Sequence, residues 1–268
     1  MNAPVTTPVL LREDADGIAI LTLNRPQQRN SLSEALIAAL TAALADIATD
    51  KRVRVVVLAA NGPAFCAGHD MKEMTARRAD ADRGRAYFRQ LMEACSTMMQ
   101  AIVHLPQPVI ACVHGPASAA GCQLVASCDL AIAAETAKFA TPGVNIGLFC
   151  STPMVALARN VARKHAMEML LTGDLMDAQD ARRIGLINRL VPAGTERAAT
   201  LALARQIAAK SALTVKIGKE AFYRQLEMNL ADAYRYASDV MVENMLARDA
   251  EEGIGAFIDK RPPNWEDR

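Results

Sequence analysis

Short apolar runs alternating with helical patterns set the expected architecture of this chain. Residues 9–12 and 18–23 read as two strands joined at Asp16-Gly17, a dipeptide suited to a tight hairpin. Residues 33–47 place Leu36, Ile37, Leu40, Leu44 and Ile47 on one helical face, and Ser31 with Glu34 fits a capping box at its start. Residues 53–59 and 109–113 are continuous apolar runs, the pattern of strands covered on both faces. Between them, residues 82–104 predict a long helix with Tyr87, Leu91, Met98 and Ile102 as spaced apolar positions, ended by Pro106 and Pro108. A helix over 119–128 and a strand over 130–133 follow. Crossovers of helical length between successive strands predict a largely parallel sheet in an α/β fold.

The character changes after about residue 195. Residues 196–210, 212–226, 230–247 and 250–260 all read as helices with wide apolar stripes, and Met228, Met241 and Met245 add adaptable surface. The expected division is therefore an α/β core over 1–195 and a helical region over 196–268 that covers the core or joins subunits.

Composition narrows the function classes. A chain of 268 residues with 51% hydrophobic residues can bury a sizeable core. A net charge of +1 gives no footprint for nucleic acid or an anionic membrane surface. No apolar run reaches the ~18 residues of a membrane-spanning helix, and residues 1–11 lack the pattern of a secretory leader. The six cysteines, Cys66, Cys95, Cys112, Cys122, Cys128 and Cys150, form no CxxC pair, which reads as reduced thiols in a cytoplasmic protein. The four histidines show no metal-binding spacing, so no metal is expected. No GxxxxGK[ST] or GxGxxG motif points to a nucleotide, and no GxSxG elbow points to a serine hydrolase.

Two turns remain as candidate chemistry. One is Ala64-Phe65-Cys66-Ala67-Gly68-His69-Asp70, and the other runs from Gly115 through Gly121 to Gln123. Each follows an apolar strand and ends where a helix can begin. Small residues let a ligand approach main-chain N–H groups, and a helix N-terminus favours negative charge. Two such donors aimed at one carbonyl oxygen make an oxyanion hole. Asp70 is expected to cap a helix over 71–77, and Ser151 and Thr152 to cap one over 153–162.

These turns, with Asn24-Arg25-Pro26, Asn30-Ser31-Leu32, Thr172-Gly173, Gly185-Leu186, Glu252-Gly253, Phe257 and Lys260-Arg261, resemble the crotonase (enoyl-CoA hydratase/isomerase) superfamily over nearly the whole chain. The run from Ala120 to Gln123, taken with residues 139–145, is most similar to the branch of enoyl-CoA hydratase domain-containing protein 3. The resemblance implies a crotonase (ClpP-like) spiral of ββα units with a C-terminal helical trimerisation region, assembled as a homotrimer or a dimer of trimers. It implies an acyl-CoA thioester as partner, with coenzyme A entering as part of the substrate and no tightly bound cofactor. It also implies that the N–H groups of His69 and Ala120 hold the thioester oxygen. Ala67, Gly68, Asp70 and Gly121 then line the substrate, and Arg25 and Lys260 reach coenzyme A phosphates. Lys260 does so on a neighbouring subunit's ligand, and Phe257 lines the pantetheine path.

The family's two hydratase glutamates are absent. Gln123 and Gly143 stand at their positions, and neither side chain can take a proton from water near neutral pH. Asn145, Cys150, Ser151 and Thr152 lie close by in sequence, with Cys150 and Ser151 as candidate substitutes. Three functions follow: an enoyl-CoA lyase or isomerase, a decarboxylase acting on a carboxylated acyl-CoA, and a non-catalytic acyl-CoA binder. Restoring both glutamates, Gln123→Glu with Gly143→Glu, is expected to raise hydration of crotonyl-CoA.

Overall fold

The structure, a computed structural model, describes residues 7–268. Much of the segment read as lacking a leader lies outside the described residues. The chain opens with β1 (Leu10–Ala15) and β2 (Ile18–Leu23), an antiparallel pair whose turn holds Asp16 and Gly17 at φ 53° and 76°. The first strand begins and ends later than its apolar run, because its outer half is solvent-facing and polar. Helix α1 (Glu34–Thr49) buries the five apolar positions named above. Its cap is Ser33, whose hydroxyl accepts from the Leu36 amide, and not Ser31. Next come β3 (Val55–Ala60), α2 (Met71–Ala76) and α3 (Arg85–His104). The third helix starts at Arg85, three residues inside the expected range. Asp82 stays outside it and accepts from the amides of Gly84 and Ala86.

Strand β4 (Val109–Val113) leads into β5 (Ala117–Ser118), α4 (Ala120–Ser127), β6 (Leu130–Ala134) and β7 (Lys138–Ala140). Helices α5 (Pro153–Asn160) and α6 (Arg163–Thr172), strand β8 (Met176–Asp177), helix α7 (Ala178–Arg183) and strand β9 (Arg189–Val191) complete the central part. Four helices close the chain: α8 (Glu196–Ala208), α9 (Ala212–Gln225), α10 (Leu230–Leu246) and α11 (Arg248–Ile258).

The main sheet runs β1-β2-β3-β4-β6-β9, and every pairing after the first hairpin is parallel. Alternate residues feed two apolar layers, as the two-residue period of a strand requires. Leu21, Val56, Leu58, Ala111 and Val113 pack toward α1 and α3, while Ile20, Val55, Val57 and Ile110 pack toward Leu203 and Ala204 of α8. This double cover explains the unbroken apolar runs. A second, small sheet, β5-β7-β8, stands beside the first. It holds the second turn in place, since the Ala119 amide donates to the Ala140 carbonyl at its edge at 2.9 Å.

Candidate active site

The two turns are fastened to each other by backbone contacts. The amides of Phe65 and Cys66 donate to the Pro116 carbonyl, and the Ser118 amide donates to the Cys66 carbonyl at 2.9 Å. Glycine is required at both points of closest approach. A β-carbon at Gly121 would fall on the carbonyl group of Cys66, 2.8 Å from its carbon. Gly68, at φ +96°, lies against the other turn, where a β-carbon would sit 3.0 Å from that of Ala119 and 3.5 Å from the Ala120 nitrogen. The peptide joining Gly68 to His69 therefore abuts the first amide of α4.

Two main-chain donors remain unused there. Among the described residues neither the His69 nor the Ala120 amide has an acceptor, while Ala67, Asp70 and Ala119 around them all donate. Peptide planarity explains their direction, because C=O and N–H of one trans unit point opposite ways. The Gly68 carbonyl is held inward by the Leu32 amide at 2.8 Å, so the His69 N–H faces out. The Ala119 carbonyl accepts from Gln123 within the first turn of α4, so the Ala120 N–H faces away from the helix. Ala119 itself sits at φ 50°, ψ −117°. A residue with a β-carbon is strained there by roughly 1–3 kcal/mol, strain that clusters at functional sites. Helix α4 is buried along its whole length, so the positive end of its dipole is aimed at this point through little solvent.

Three side-chain atoms flanking these turns are buried without a partner: His69 Nε2, Gln123 Oε1 and Thr141 Oγ1. Burial pushes the His69 imidazole pKa down, so the ring is neutral at pH 7. The His69 ring makes no hydrogen bond to the neighbouring Asp70, whose carboxylate is occupied elsewhere. Its carboxylate caps α2 through the amides of Lys72 and Glu73 and accepts from Arg25 and Ser31. Burial acts to raise the Asp70 pKa, but these donors outweigh it and hold the carboxyl below its usual range.

Several expected roles change. Arg25, expected at coenzyme A phosphates, instead gives Nη1 to the Ser31 carbonyl at 2.6 Å and Nη2 to Asp70 at 3.0 Å. Gly143 is a packing requirement and not simply a lost glutamate. A β-carbon there would meet the Leu148 carbonyl at 2.8 Å and Cys150 Sγ at 2.9 Å, so Gly143→Glu does not fit the existing backbone and the double restoration loses its rationale. Cys150 is buried and its thiol is pushed up by desolvation, which makes it a packed thiol and not an activated nucleophile. Ser151 donates to the Phe149 carbonyl, and Thr152 precedes α5 without a side-chain cap bond. Phe257, 84% exposed, and Lys260 lie at the end of α11, away from any hydrogen bond to the two turns among the described residues. The remaining cysteines are buried and free, with Cys66 raised by burial to about 12.

Sequence reasoning gave two residues no role in the site. Thr141 is fully buried beside the second turn, and Asn30 is fully buried beneath the first. Asn30 Nδ2 donates to the carbonyls of Asn61 and Ala64, and Arg29 and Asn30 both sit at positive φ. Asparagine tolerates that conformation well, which is the physical signal at this position of the Asn30-Ser31-Leu32 motif.

Comparison with known proteins identifies the family and the fold. Residues 13–268 match the Enoyl-CoA hydratase/isomerase family profile. The mouse mitochondrial enoyl-CoA hydratase domain-containing protein 3 is 47% identical over 250 residues, 93% of this chain and 82% of that protein. A crystal structure of an enoyl-CoA hydratase from Mycobacterium smegmatis superposes with a TM-score of 0.93 at 51% identity, covering 97% of this chain and 99% of the other. The crystal structure of human enoyl-CoA hydratase domain-containing protein 3 gives 0.91 at 45% identity, covering 96% and 100%. The expected crotonase fold is therefore present. The cytoplasmic placement is overturned by the mouse and human relatives, which are mitochondrial proteins. Buried free cysteines do not say which compartment holds the protein. On sequence and fold together, this chain belongs to the enoyl-CoA hydratase/isomerase family.

Proposed function

We propose that the protein binds an acyl-CoA thioester and stabilises its enolate between the N–H groups of His69 and Ala120. The observation that carries this reading is the pair of unused amides on two turns locked back to back. A thioester carbonyl gains negative charge as an enolate forms, so fixed donors bind the transition state more tightly than the ground state. One such donor contributes ~3 kcal/mol, about 100-fold in rate. Gln123 and Gly143 provide no base for water, so hydration by the family's two-glutamate route is not part of the proposal.

A second reading is favoured by the unpartnered His69 Nε2. A neutral imidazole can donate one N–H to a carboxylate on the acyl group. Breaking the bond from the α-carbon to that carboxylate leaves its electron pair as the enolate and releases carbon dioxide, and a proton from solvent then closes the α-carbon. No strong base is needed.

The chain also presents exposed apolar residues on α10, among them Leu230, Tyr234, Met241, Val242 and Leu246. They support assembly as a homotrimer or dimer of trimers, which sedimentation analysis measures directly.

The test is incubation with a panel of acyl-CoA thioesters in deuterated water, read by mass spectrometry. Isomerisation or α-deuteration supports the first reading, and carbon dioxide release from a carboxylated thioester supports the second. In both cases Gly121→Ala, which drives the turns apart, is expected to lower turnover about 100-fold. Tight binding with no reaction of any thioester would leave a non-catalytic acyl-CoA binder and remove the enolate proposal.

A further inference from the structure

Fastening of the first turn comes from far along the chain, and it controls one peptide plane. The Gly68 carbonyl receives the Leu32 amide at 2.8 Å, and the Asp70 amide returns to the Leu32 carbonyl at 3.1 Å. These two bonds straddle His69. They form only if Leu32 is held in place, and the residues before it do the holding. Arg25 Nη1 donates to the Ser31 carbonyl at 2.6 Å and to its hydroxyl at 3.2 Å. Nη2 donates to Asp70 Oδ2 at 3.0 Å, and the Ser31 hydroxyl donates to the same oxygen at 3.2 Å. Asn30 closes the rear, accepting from the Arg25 amide at 2.8 Å while it donates to Asn61 and Ala64.

The side chains of Arg25 and Asp70 are only 16% and 11% exposed, so little water competes for their bonds. The guanidinium is fork-shaped and reaches three acceptor atoms on two residues at fixed angles, which a lysine ammonium cannot reproduce. Rotating the 68–69 peptide to aim its N–H elsewhere breaks the Leu32 bond and disturbs every contact in this set.

We infer that Arg25 and Asp70 are positioning residues that hold the His69 amide toward the substrate oxygen, with Asn30 bracing them. This rests on the oxyanion reading above. Neither side chain touches substrate. Both act through Leu32 and the peptide plane.

The test uses the full-length protein and the variants Asp70→Asn, Arg25→Gln and Arg25→Lys. Asparagine caps a helix as well as aspartate does, so Asp70→Asn removes the charge pair and leaves the start of α2 intact. Turnover is measured with a reactive CoA thioester and with the N-acetylcysteamine thioester of the same acyl group. Hydrogen exchange of the 66–72 segment is followed by mass spectrometry. All three variants are expected to lower kcat about tenfold on both thioesters, less than outright loss of a donor, with KM within about twofold. Exchange in 66–72 is expected to rise about tenfold while β3 and β4 stay protected.

A rise in KM confined to the CoA thioester would make Arg25 a phosphate ligand and overturn the inference. Exchange rising equally across the main sheet would reduce the pair to general stability and overturn it as well. If the wild-type protein transforms no thioester, the oxyanion reading fails on its own. The exchange of 66–72 then still decides the clamp, and unchanged exchange in the variants ends it.

Discussion

Two buried polar regions of this protein follow opposite rules. Around Asp129 the carboxylate, the Lys219 ammonium and the Tyr223 hydroxyl all have partners. Lys219 of α9 directs its three N–H donors to Asp129 Oδ2 at 2.7 Å and to the carbonyls of Ile102 and Gln107 at 3.1 and 3.0 Å. The carboxylate also accepts from the Tyr223 hydroxyl and the Val109 amide. Burial pulls the Lys219 pKa down, with Asp129 acting against it. At the paired turns the reverse holds: two amides and three side-chain atoms are left without partners, and Ala119 is strained. A satisfied network ties the helical region to the end of α3 and the start of β4. In the proposed function the thioester sits at these unsatisfied groups, beside the strained backbone.

The contrast breaks most sharply at Asp129. Asp129→Ala leaves the Lys219 ammonium, the Tyr223 hydroxyl and the Val109 amide without their acceptor inside the protein. Removing one partner of a buried pair is expected to lower stability by about 3–5 kcal/mol. Urea unfolding followed by circular dichroism measures it. A loss below about 1 kcal/mol would mean the cluster is solvated and holds little together.

The same treatment at the site is expected to give the opposite sign. Thr141→Val and Gln123→Leu replace unpartnered polar atoms by apolar ones of similar size. Each is expected to leave stability unchanged or raise it by about 1 kcal/mol, since desolvation of an unpaired group is recovered. Thioester turnover is expected to fall in both, the trade of activity for stability that functional sites show. Destabilisation by more than about 1 kcal/mol in both variants would assign these atoms to hidden internal partners and weaken the contrast.

How far the sequence reaches follows from the range of the forces involved. Strands covered on both faces announce themselves, and β3 and β4 lie where their apolar runs place them. The small sheet does not, because strands of two or three residues carry no usable period. Ser31 and Glu34 match a capping box, yet Ser31 is drawn away by a tertiary contact to Asp70, 39 residues on. Local pattern cannot register such a contact. The positions of the two turns are legible from their small residues. The unused state of two particular amides is not, because it depends on where Leu32 and Gln123 point. Gly143 is the clearest case: as a letter it reads as a missing carboxylate, and in space it is the only residue that fits.

The smallest expected effect concerns pH. His69 is partly buried, and burial holds its folded pKa below the unfolded value of about 6.5. Between those two values the unfolded chain carries a proton that the folded one lacks, so stability rises with pH there. The contribution is present above about 6.5 and is lost as pH falls through that value toward the folded pKa. In urea titrations from about pH 7.5 to 5, wild type is therefore expected to lose more stability than His69→Gln, which has no titrating ring. Every other titrating group is common to both proteins and cancels in the difference. Parallel curves for the two proteins would mean that the ring protonates as freely folded as unfolded. The His69 side chain would then belong with the solvated surface, leaving only its backbone amide on the functional side of the comparison.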